Sequence, residues 1–255
     1  MEQTQTQSRA VFRVSGADAK DFLQGLVTND VKGLADGLVY AALLTPQGKY
    51  LSDFFLVPDG EDVLLDCPAE HAADLQKRLT MYKLRAKVTL ELTDMAVARG
   101  LGEAPESAFA DPRSPDLGWR QYGVGLGESA DTTAELEAKR IALGVPASGI
   151  ELIPNDTYVL EAGFERLKGV DFRKGCFVGQ EIVARMKHKT ELRKGLARVQ
   201  VDGEAPVGTE IMRDGKTVGK LFSQADGQGI AHLRFDRAGD GMTADGVPVR
   251  LMAEE

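Results

Sequence analysis

Cys176 is the residue whose surroundings most clearly suggest chemistry, and it lies in the stretch DFRKGCFVGQEIVARMKHK, residues 171–189. Gly179 follows three residues later, and apolar residues at helical spacing come after it, so a helix is predicted to begin near this glycine. The thiol should therefore lie just before the helix, where backbone N–H groups stabilise anions. With Arg173 and Lys174 beside it, this setting favours the thiolate, which is the nucleophilic, redox-active and metal-binding form of cysteine.

An inert, buried cysteine is the alternative interpretation, and it is the commoner one for cysteines in general. We apply it to Cys67, which ends the apolar stretch VLLDC. His71, His188 and His232 do not have the spacing of a metal site, so a zinc or iron centre built on histidines is not expected. A cluster held by Cys176 alone would need further ligands from a partner or a cofactor.

Other common catalytic signatures are missing from the sequence. It has no phosphate-binding loop of the G-x-x-x-x-G-K-[ST] or G-x-G-x-x-G type after a strand, and no G-x-S-x-G nucleophile elbow. Cysteine-hydrolase chemistry would need a histidine and an orienting group close to the thiol. The sequence does not establish that proximity.

Charge is unevenly distributed along the chain. The net charge is −8, yet residues 165–200 contain ten Lys/Arg and four Asp/Glu, so this basic segment carries +6 and the rest of the chain −14. A positive segment in an acidic protein can recruit an anion, although a solvated face is the usual role of such a run. The acidic remainder argues against general affinity for nucleic acid.

The composition is typical of a soluble globular protein, with 43% hydrophobic and 27% charged residues. Two distant cysteines do not form a disulfide framework, which suggests a reducing compartment. The N-terminal MEQTQTQSRA has no apolar signal core, and the apolar runs are too short to cross a bilayer. These features predict a cytoplasmic protein that does not bind membranes.

The pattern of elements predicts an α+β fold. Helices are predicted over AEHAADLQKRLTMY and over TTAELEAKRIALG, the second with Thr132 or Thr133 as its N-cap. Short turns between the early strands favour hairpins over parallel βαβ units. After Gly195 short strands alternate with glycine turns, which predicts a small β-barrel or sandwich. We therefore divide the chain into residues 1–195 and 196–255.

The stretch KGCFVGQEIVAR resembles the signature K-G-C-[YF]-x-G-Q-E of the YgfZ-type folate-binding proteins. These proteins are relatives of the aminomethyltransferase (T protein) of the glycine cleavage system, and they act in the assembly or repair of iron–sulfur clusters. The likeness extends over roughly residues 10–250, through FLQGLVTNDV, ALLTPQGKYLSDFFL, YKLRAKVTLE, DPRSPDLGWR and RIALGVP in the family's order. The continuation HKTELRKGL is similar to the mitochondrial branch of the family.

The resemblance implies a fold and a set of site residues. The fold would consist of two interleaved α+β subdomains within residues 1–195, around a central cavity for tetrahydrofolate or a derivative, closed by a C-terminal β-barrel over 196–255. The motif cysteine would be Cys176, which would also serve as a transient iron–sulfur ligand. The residues that would work with it are Lys174, Gln180 and Glu181. The residues that would contact folate are Asn29, Asp53, Trp119 and Arg120, with Arg185 for its anionic glutamate tail.

Two departures from the family pattern bear on function. Phe177 stands where the family usually has tyrosine, which excludes any role for that hydroxyl. Ala142 stands where T proteins have a glutamate that grips the pteridine. Loss of this carboxylate argues against an aminomethyltransferase.

The resemblance implies a tetrahydrofolate-binding factor for the assembly or repair of iron–sulfur clusters. Its partners would be A-type iron–sulfur carriers and client iron–sulfur enzymes. The acidic charge balance argues against nucleic acid as a partner, and the short apolar runs predict no membrane partner. Two alternatives are an aminomethyltransferase-like one-carbon transferase that depends on folate, and a tRNA-binding module using residues 185–194. Whether the protein turns over a substrate stays open.

Overall fold

A five-stranded antiparallel sheet buried on both faces organises the N-terminal part of the computed structural model, which describes residues 8–127, 131–189 and 192–253. The strand order is β2-β3-β4-β1-β5. The strands are β1 (Arg9–Ser15), β2 (Val39–Leu44), β3 (Tyr50–Asp59), β4 (Asp62–Pro68) and β5 (Thr89–Leu92). Every residue of β2, VYAALL, is buried, as expected of a strand covered on both sides.

The two faces of this sheet pack against different cores. Because side chains alternate along a strand, Ala41 and Leu43 enter one core with helices α1 (Ala19–Gln24) and α2 (Ala69–Lys83). Tyr40 of β2, opposite Phe55 of β3, enters the other core. This second face carries the polar groups described below.

A small three-stranded sheet and two further helices complete the α+β part. The sheet has the order β6-β8-β7, from β6 (Ala96–Gly100), β7 (Phe109–Ala110) and β8 (Trp119–Gly123). Helix α3 (Thr133–Ala142) begins with a capping box between Thr132 and Glu135, which confirms the predicted N-cap. Helix α4 (Gln180–Lys189) follows the cysteine turn.

Six strands close into a C-terminal barrel with its own apolar core. They are β9 (Lys194–Val201), β10 (Glu210–Arg213), β11 (Lys216–Ala225), β12 (Gln228–Arg234), β13 (Met242–Ala244) and β14 (Val247–Leu251), in the order β10-β11-β12-β9-β14-β13. The predicted α+β fold with a small C-terminal barrel is confirmed. The division at residue 195 stays a prediction.

Buried polar groups fasten the barrel to helix α3. Arg140 donates to the hydroxyl of Ser223 at 2.8 Å and to the carbonyl of Val145 at 2.7 Å. The carboxylate of Glu151 accepts from the backbone N–H of Ser223 at 3.1 Å and lies 3.3 Å from the Arg140 guanidinium.

Within the described ranges, no helix is long and apolar enough to span a membrane.

Candidate functional site

The motif cysteine lies in a turn whose shape two glycines make possible. Gly175 and Gly179 have φ values of +96° and +83°, and α4 begins at Gln180 as predicted. A Cβ at Gly179 would lie 2.6 Å from the carbonyl oxygen of Thr45. The loop between β2 and β3 therefore packs so closely on the turn that only glycine is accommodated there.

Cys176 is exposed, and the side chain of Gln180 contacts its sulfur. Oε1 of Gln180 accepts from the backbone N–H of Phe177 at 3.0 Å, which orients the amide so that Nε2 donates to Sγ of Cys176 at 3.6 Å. Cys67, by contrast, is fully buried, and burial raises the pKa of Cys67 to about 12. The structure therefore distinguishes one accessible thiol from one inert thiol.

Lys174 is tied to the end of helix α1. Its Nζ donates to the carbonyl of Gln24, and Nε2 of Gln24 donates back to the carbonyl of Lys174 at 3.2 Å. Burial lowers the pKa of Lys174, and electrostatic attraction to Asp30 and Asp171 opposes that shift. The ammonium group is fixed in position by its bond to Gln24, two residues before Cys176 in the chain.

Glu181 and Arg185 both lie exposed on helix α4. The buried side of this helix is provided by Val183, which joins the second core. Thr190 and Glu191, within the stretch that the tRNA-binding alternative uses, are outside the described residues, as is the side chain of Lys189.

The predicted folate residue Asp53 is enclosed by hydroxyl groups. Tyr40 donates to Oδ2 at 3.0 Å, Tyr50 donates to Oδ1 at 2.7 Å, and Ser148 also donates to Oδ1. Burial raises the pKa of both tyrosines well above the usual value, and the adjacent Asp53 raises them further. The phenols therefore stay protonated and act as hydrogen-bond donors to the buried carboxylate.

Next to this group, Arg113 lies over aromatic rings and pairs with Asp111. Its Nε and Nη2 donate to the two oxygens of Asp111 at 2.9 and 2.8 Å, and its Cζ lies 5.2 Å from the ring centre of Tyr40 and 4.9 Å from that of Phe55. Arg120 donates to the same carboxylate at 3.1 Å. Burial alone would raise the pKa of Asp111, but the two guanidinium groups hold it well below its usual range.

The remaining predicted folate residues are engaged by the chain itself. Arg120 also binds Asp66 at 3.3 Å, and Trp119 covers Gly100 so closely that a Cβ there would lie 2.4 Å from the indole. Asn29 donates to the carbonyls of Tyr40 and Lys168 at 2.8 and 2.7 Å. These contacts give Asn29 and Arg120 structural partners.

The structure brings some predicted residues together and leaves others apart. Cys176, Lys174 and Gln180 form one group, whereas Asp53 and Arg120 belong to a buried polar network on the second face of the large sheet. Sequence reasoning missed Asp111 and Arg113 as members of this network. The signal was present in the segment DPRSPDLGWR, where two opposite charges stand two residues apart.

Several side chains of the basic segment are engaged by other parts of the chain. Arg166 donates to the carbonyls of Leu143 and Gly144, and Arg198 donates to the carbonyl of Ala142, so both stabilise the carbonyl end of α3. Lys187 pairs with Glu165, and Lys194 pairs with Glu161. These four residues are engaged within the chain, and recruitment of an anion by the segment stays a prediction.

A cavity of about 560 Å³ opens between the barrel and the segment that precedes α4. Its polar lining includes Lys49, Glu161, Lys194 and His232. The Glu161 carboxylate lies 3.4 Å from the Lys194 ammonium and 3.6 Å from Nε2 of His232. Cys176 is not among its lining residues. Among the residues that the structure describes, no three His, Cys, Asp or Glu are placed to hold a metal ion.

Comparisons with known proteins define the class first. A solved structure of the glycine cleavage system aminomethyltransferase T from Bartonella henselae superposes with a TM-score of 0.77 at 14% identity, covering 97% of this chain and 83% of that one. The family model described as "CAF17, C-terminal beta-barrel domain" matches residues 193–255. The chain thus has the T-protein fold with a barrel of the CAF17 type, and the expected T-protein-like fold is confirmed.

Curated relatives then define the family. The human "Iron-sulfur cluster assembly factor IBA57, mitochondrial" is 32% identical over 267 residues, covering 88% of this chain and 75% of that protein. The Neurospora crassa homologue is 31% identical, covering 89% of this chain and 60% of that protein. This chain belongs to the iron–sulfur cluster assembly factor IBA57 family, and the YgfZ-type proteins that it resembles are a sibling group.

One prediction is overturned by these relatives. They are named as mitochondrial proteins. The expectation of a cytoplasmic protein is therefore wrong. It rested on the polar N-terminus and the scarcity of cysteine, and a reducing compartment does not single out the cytosol.

Proposed function

We propose that this chain is a factor for the assembly or repair of iron–sulfur clusters in client enzymes, and that Cys176 is its working residue. Family relatives carry cluster assembly in their names. The observation that carries the proposal is an exposed thiol in a fixed turn, with a donating amide from Gln180 at 3.6 Å. This combination is suited to ligand exchange, because the sulfur is accessible and its orientation is set.

The sulfur of Cys176 has one polar side-chain contact that the structure shows, the amide of Gln180, whose Nε2 donates toward Sγ at 3.6 Å. Lys174, two residues earlier, is held in place by its hydrogen bond to the carbonyl of Gln24. The thiolate is the form of cysteine that binds iron. One thiolate cannot complete a cluster, so the other ligands would come from a partner, for which an A-type carrier is the proposed source.

Glu181 has a different part in this proposal. It is exposed in the first turn of α4, where a carboxylate is favoured by the helix dipole. We propose that it helps to define the surface that a carrier or client meets beside Cys176.

Tetrahydrofolate is part of the proposal, but a pterin does not fit the observed arrangement. The Asp53 carboxylate is engaged by three hydroxyls, and Arg113 covers the aromatic rings beside it. The adjoining cavity, lined by Arg113 and Arg120, has about 30 Å³, which is room for one or two water molecules. Ligand pockets usually have about 300–1,000 Å³. Folate binding would therefore require side chains to move.

The two alternative functions receive less support. The position aligned with the pteridine-gripping glutamate of T proteins is Ala142, which contributes only its backbone carbonyl, to Arg198. Similarity to the T protein at 14% identity supports the architecture and not the reaction. For a tRNA-binding module, two of the basic side chains within residues 185–194 are paired with acids, Lys187 with Glu165 and Lys194 with Glu161, and the chain outside residues 165–200 carries −14.

Cells that contain only a Cys176→Ser variant provide the test. We expect the activity of cluster-dependent enzymes to fall, while Cys67→Ala cells, which lose the buried thiol instead, keep that activity. Both variants are quantified by immunoblot so that lower abundance is not mistaken for lost function. Unchanged enzyme activity in Cys176→Ser cells would remove the thiol from the mechanism.

A further inference from the structure

The end of helix α2 carries apolar side chains into solvent on strained backbone. Leu84, just after the helix, is 90% exposed and has a φ of +45°, a conformation that leucine rarely adopts. Met81, which is 69% exposed, and Tyr82, which is 37% exposed, lie in the last turn of the helix. We call residues 81–88, MYKLRAKV, the α2 tip. A cluster of exposed apolar side chains is typical of a surface that meets another molecule.

Hydrogen bonds hold the α2 tip in this conformation. The backbone N–H of Ala86 donates to the carbonyl of Lys83 at 2.8 Å, which closes the chain around Leu84. The backbone N–H of Lys87 donates to Oδ2 of Asp18 at 2.7 Å. Strained residues persist only where their surroundings hold them, and they cluster at functional sites. The exposure of Leu84 is therefore a fixed feature of the fold.

The α2 tip is also positively charged in an acidic protein. It contains Lys83, Arg85 and Lys87 and no Asp or Glu, whereas the whole chain carries −8. Among the residues that the structure describes, none of these three side chains makes an ion pair. Free cations around an exposed apolar anchor complement a surface in which Asp or Glu residues border an apolar pocket.

Helix α1 connects the α2 tip to the cysteine turn. Asp18, the residue before this helix, holds the backbone of the tip, and Gln24, the last helical residue, holds the backbone of Lys174. A six-residue helix is about 9 Å long, and Lys20 and Asp21 are exposed on it between the two anchor points. An ordinary protein interface covers about 800 Å² of each partner, a patch about 30 Å across. One partner can therefore cover the α2 tip and the cysteine turn together.

We propose that the α2 tip is a docking surface for the protein that supplies the other cluster ligands to Cys176, with Leu84 as its apolar anchor. This role rests on the proposed function of Cys176. The partner is a protein with an acidic surface around an apolar pocket, since these features complement the tip. The iron–sulfur carrier is this partner, because the ligands that Cys176 lacks have to come from a molecule in contact with it.

Leu84→Gly separates docking from stability. Glycine adopts a φ of +45° without strain, so the variant should have a Tm at or above that of the parent. Because the substitution removes the anchor, the variant should bind the carrier at least about 30-fold more weakly, as expected of a central interface residue. A purely structural role of Leu84 would instead lower Tm and binding together.

The experiment titrates the immobilised full chain with cluster-loaded carrier under anaerobic conditions, using biolayer interferometry at low and at high salt. Arg85→Glu should slow association and lessen the loss of affinity that added salt causes. Two changes on the barrel are matched controls and should bind as the parent does. They are Val207→Ala, at an apolar side chain that is 62% exposed, and Lys216→Glu, at an exposed cation.

Equal binding by Leu84→Gly and the parent would overturn the docking role, as would a parent that does not bind the carrier. A dimer of the free chain that Leu84→Gly converts to monomer in sedimentation would also overturn it, because a second copy would then cover the tip. Failure of the Cys176 proposal is a separate result, in which Cys176→Ser leaves cluster-dependent enzymes unaffected. Normal binding by Leu84→Gly together with lost enzyme activity in Cys176→Ser cells would remove the tip alone.

Discussion

Replacing Tyr40 by Phe tests the buried network around Asp53. The substitution keeps the ring, which stacks on Phe164 at 5.1 Å and on Phe55 at 5.2 Å, and removes only the hydroxyl that donates to Asp53 at 3.0 Å. A hydrogen bond to a charged group contributes about 1.5–3 kcal/mol to stability. At about 2–4 °C per kcal/mol for a chain of this size, Tm should fall by about 3–12 °C.

The measurement is urea denaturation followed by circular dichroism, with a thermal melt beside it. Tyr158→Phe is the matched control. The ring of Tyr158, not its hydroxyl, contacts Lys49, whose Nζ lies 3.8 Å from the ring centre, so this contact should remain when the hydroxyl is removed. A Tyr40→Phe protein within about 0.5 kcal/mol of the parent, the usual range of surface substitutions, would refute the account of the Asp53 network as a buried, hydrogen-bonded unit.

Three further predictions address the cysteine turn, the contact of Glu161 with Lys194 and His232 of the barrel, and the two thiols. Gly179→Ala should destabilise the protein by at least about 2 kcal/mol in urea denaturation, since its φ is +83° and a Cβ would lie 2.6 Å from a carbonyl oxygen; Gly60→Ala, at φ +63° with open space around it, should lose less. Burial acts to raise the pKa of Glu161, but its partners His232 and Lys194 lower it below 4.5. The stabilisation that this carboxylate provides is therefore present above pH 4.5 and is lost as the pH falls through the lowered pKa. Glu161→Gln should flatten the acid limb of a curve of Tm against pH. Iodoacetamide should label Cys176 and spare the buried Cys67 in the native state, as read by peptide mass spectrometry; labelling of both at equal rates would contradict the assignment.

Local signals in the sequence predicted the elements that carry the cysteine. Two glycines and an apolar helical spacing were enough to place Cys176 before α4, because the turn and the helix depend on neighbouring residues. The capping box at Thr132 and the short strands after Gly195 were likewise readable from nearby residues. These features depend little on the rest of the fold.

The buried polar network could not be predicted in the same way. Asp66 meets Arg120 across 54 residues of sequence, and Ser148 meets Asp53 across 95, so both contacts depend on how the sheets pack. The sequence alone therefore presented Arg120 and Asp53 as available for a ligand. In the fold, other side chains of the same chain already satisfy them.

Formation of a cluster-containing complex with a carrier in vitro tests the central claim most directly. The purified chain is mixed under anaerobic conditions with an A-type carrier that holds an iron–sulfur cluster, and the mixture is separated by size exclusion while cluster absorbance is followed. We predict that the parent protein and Cys67→Ala form a cluster-containing complex with the carrier, and that Cys176→Ser does not. A Cys176→Ser protein that retains as much cluster in the complex as the parent would contradict the account.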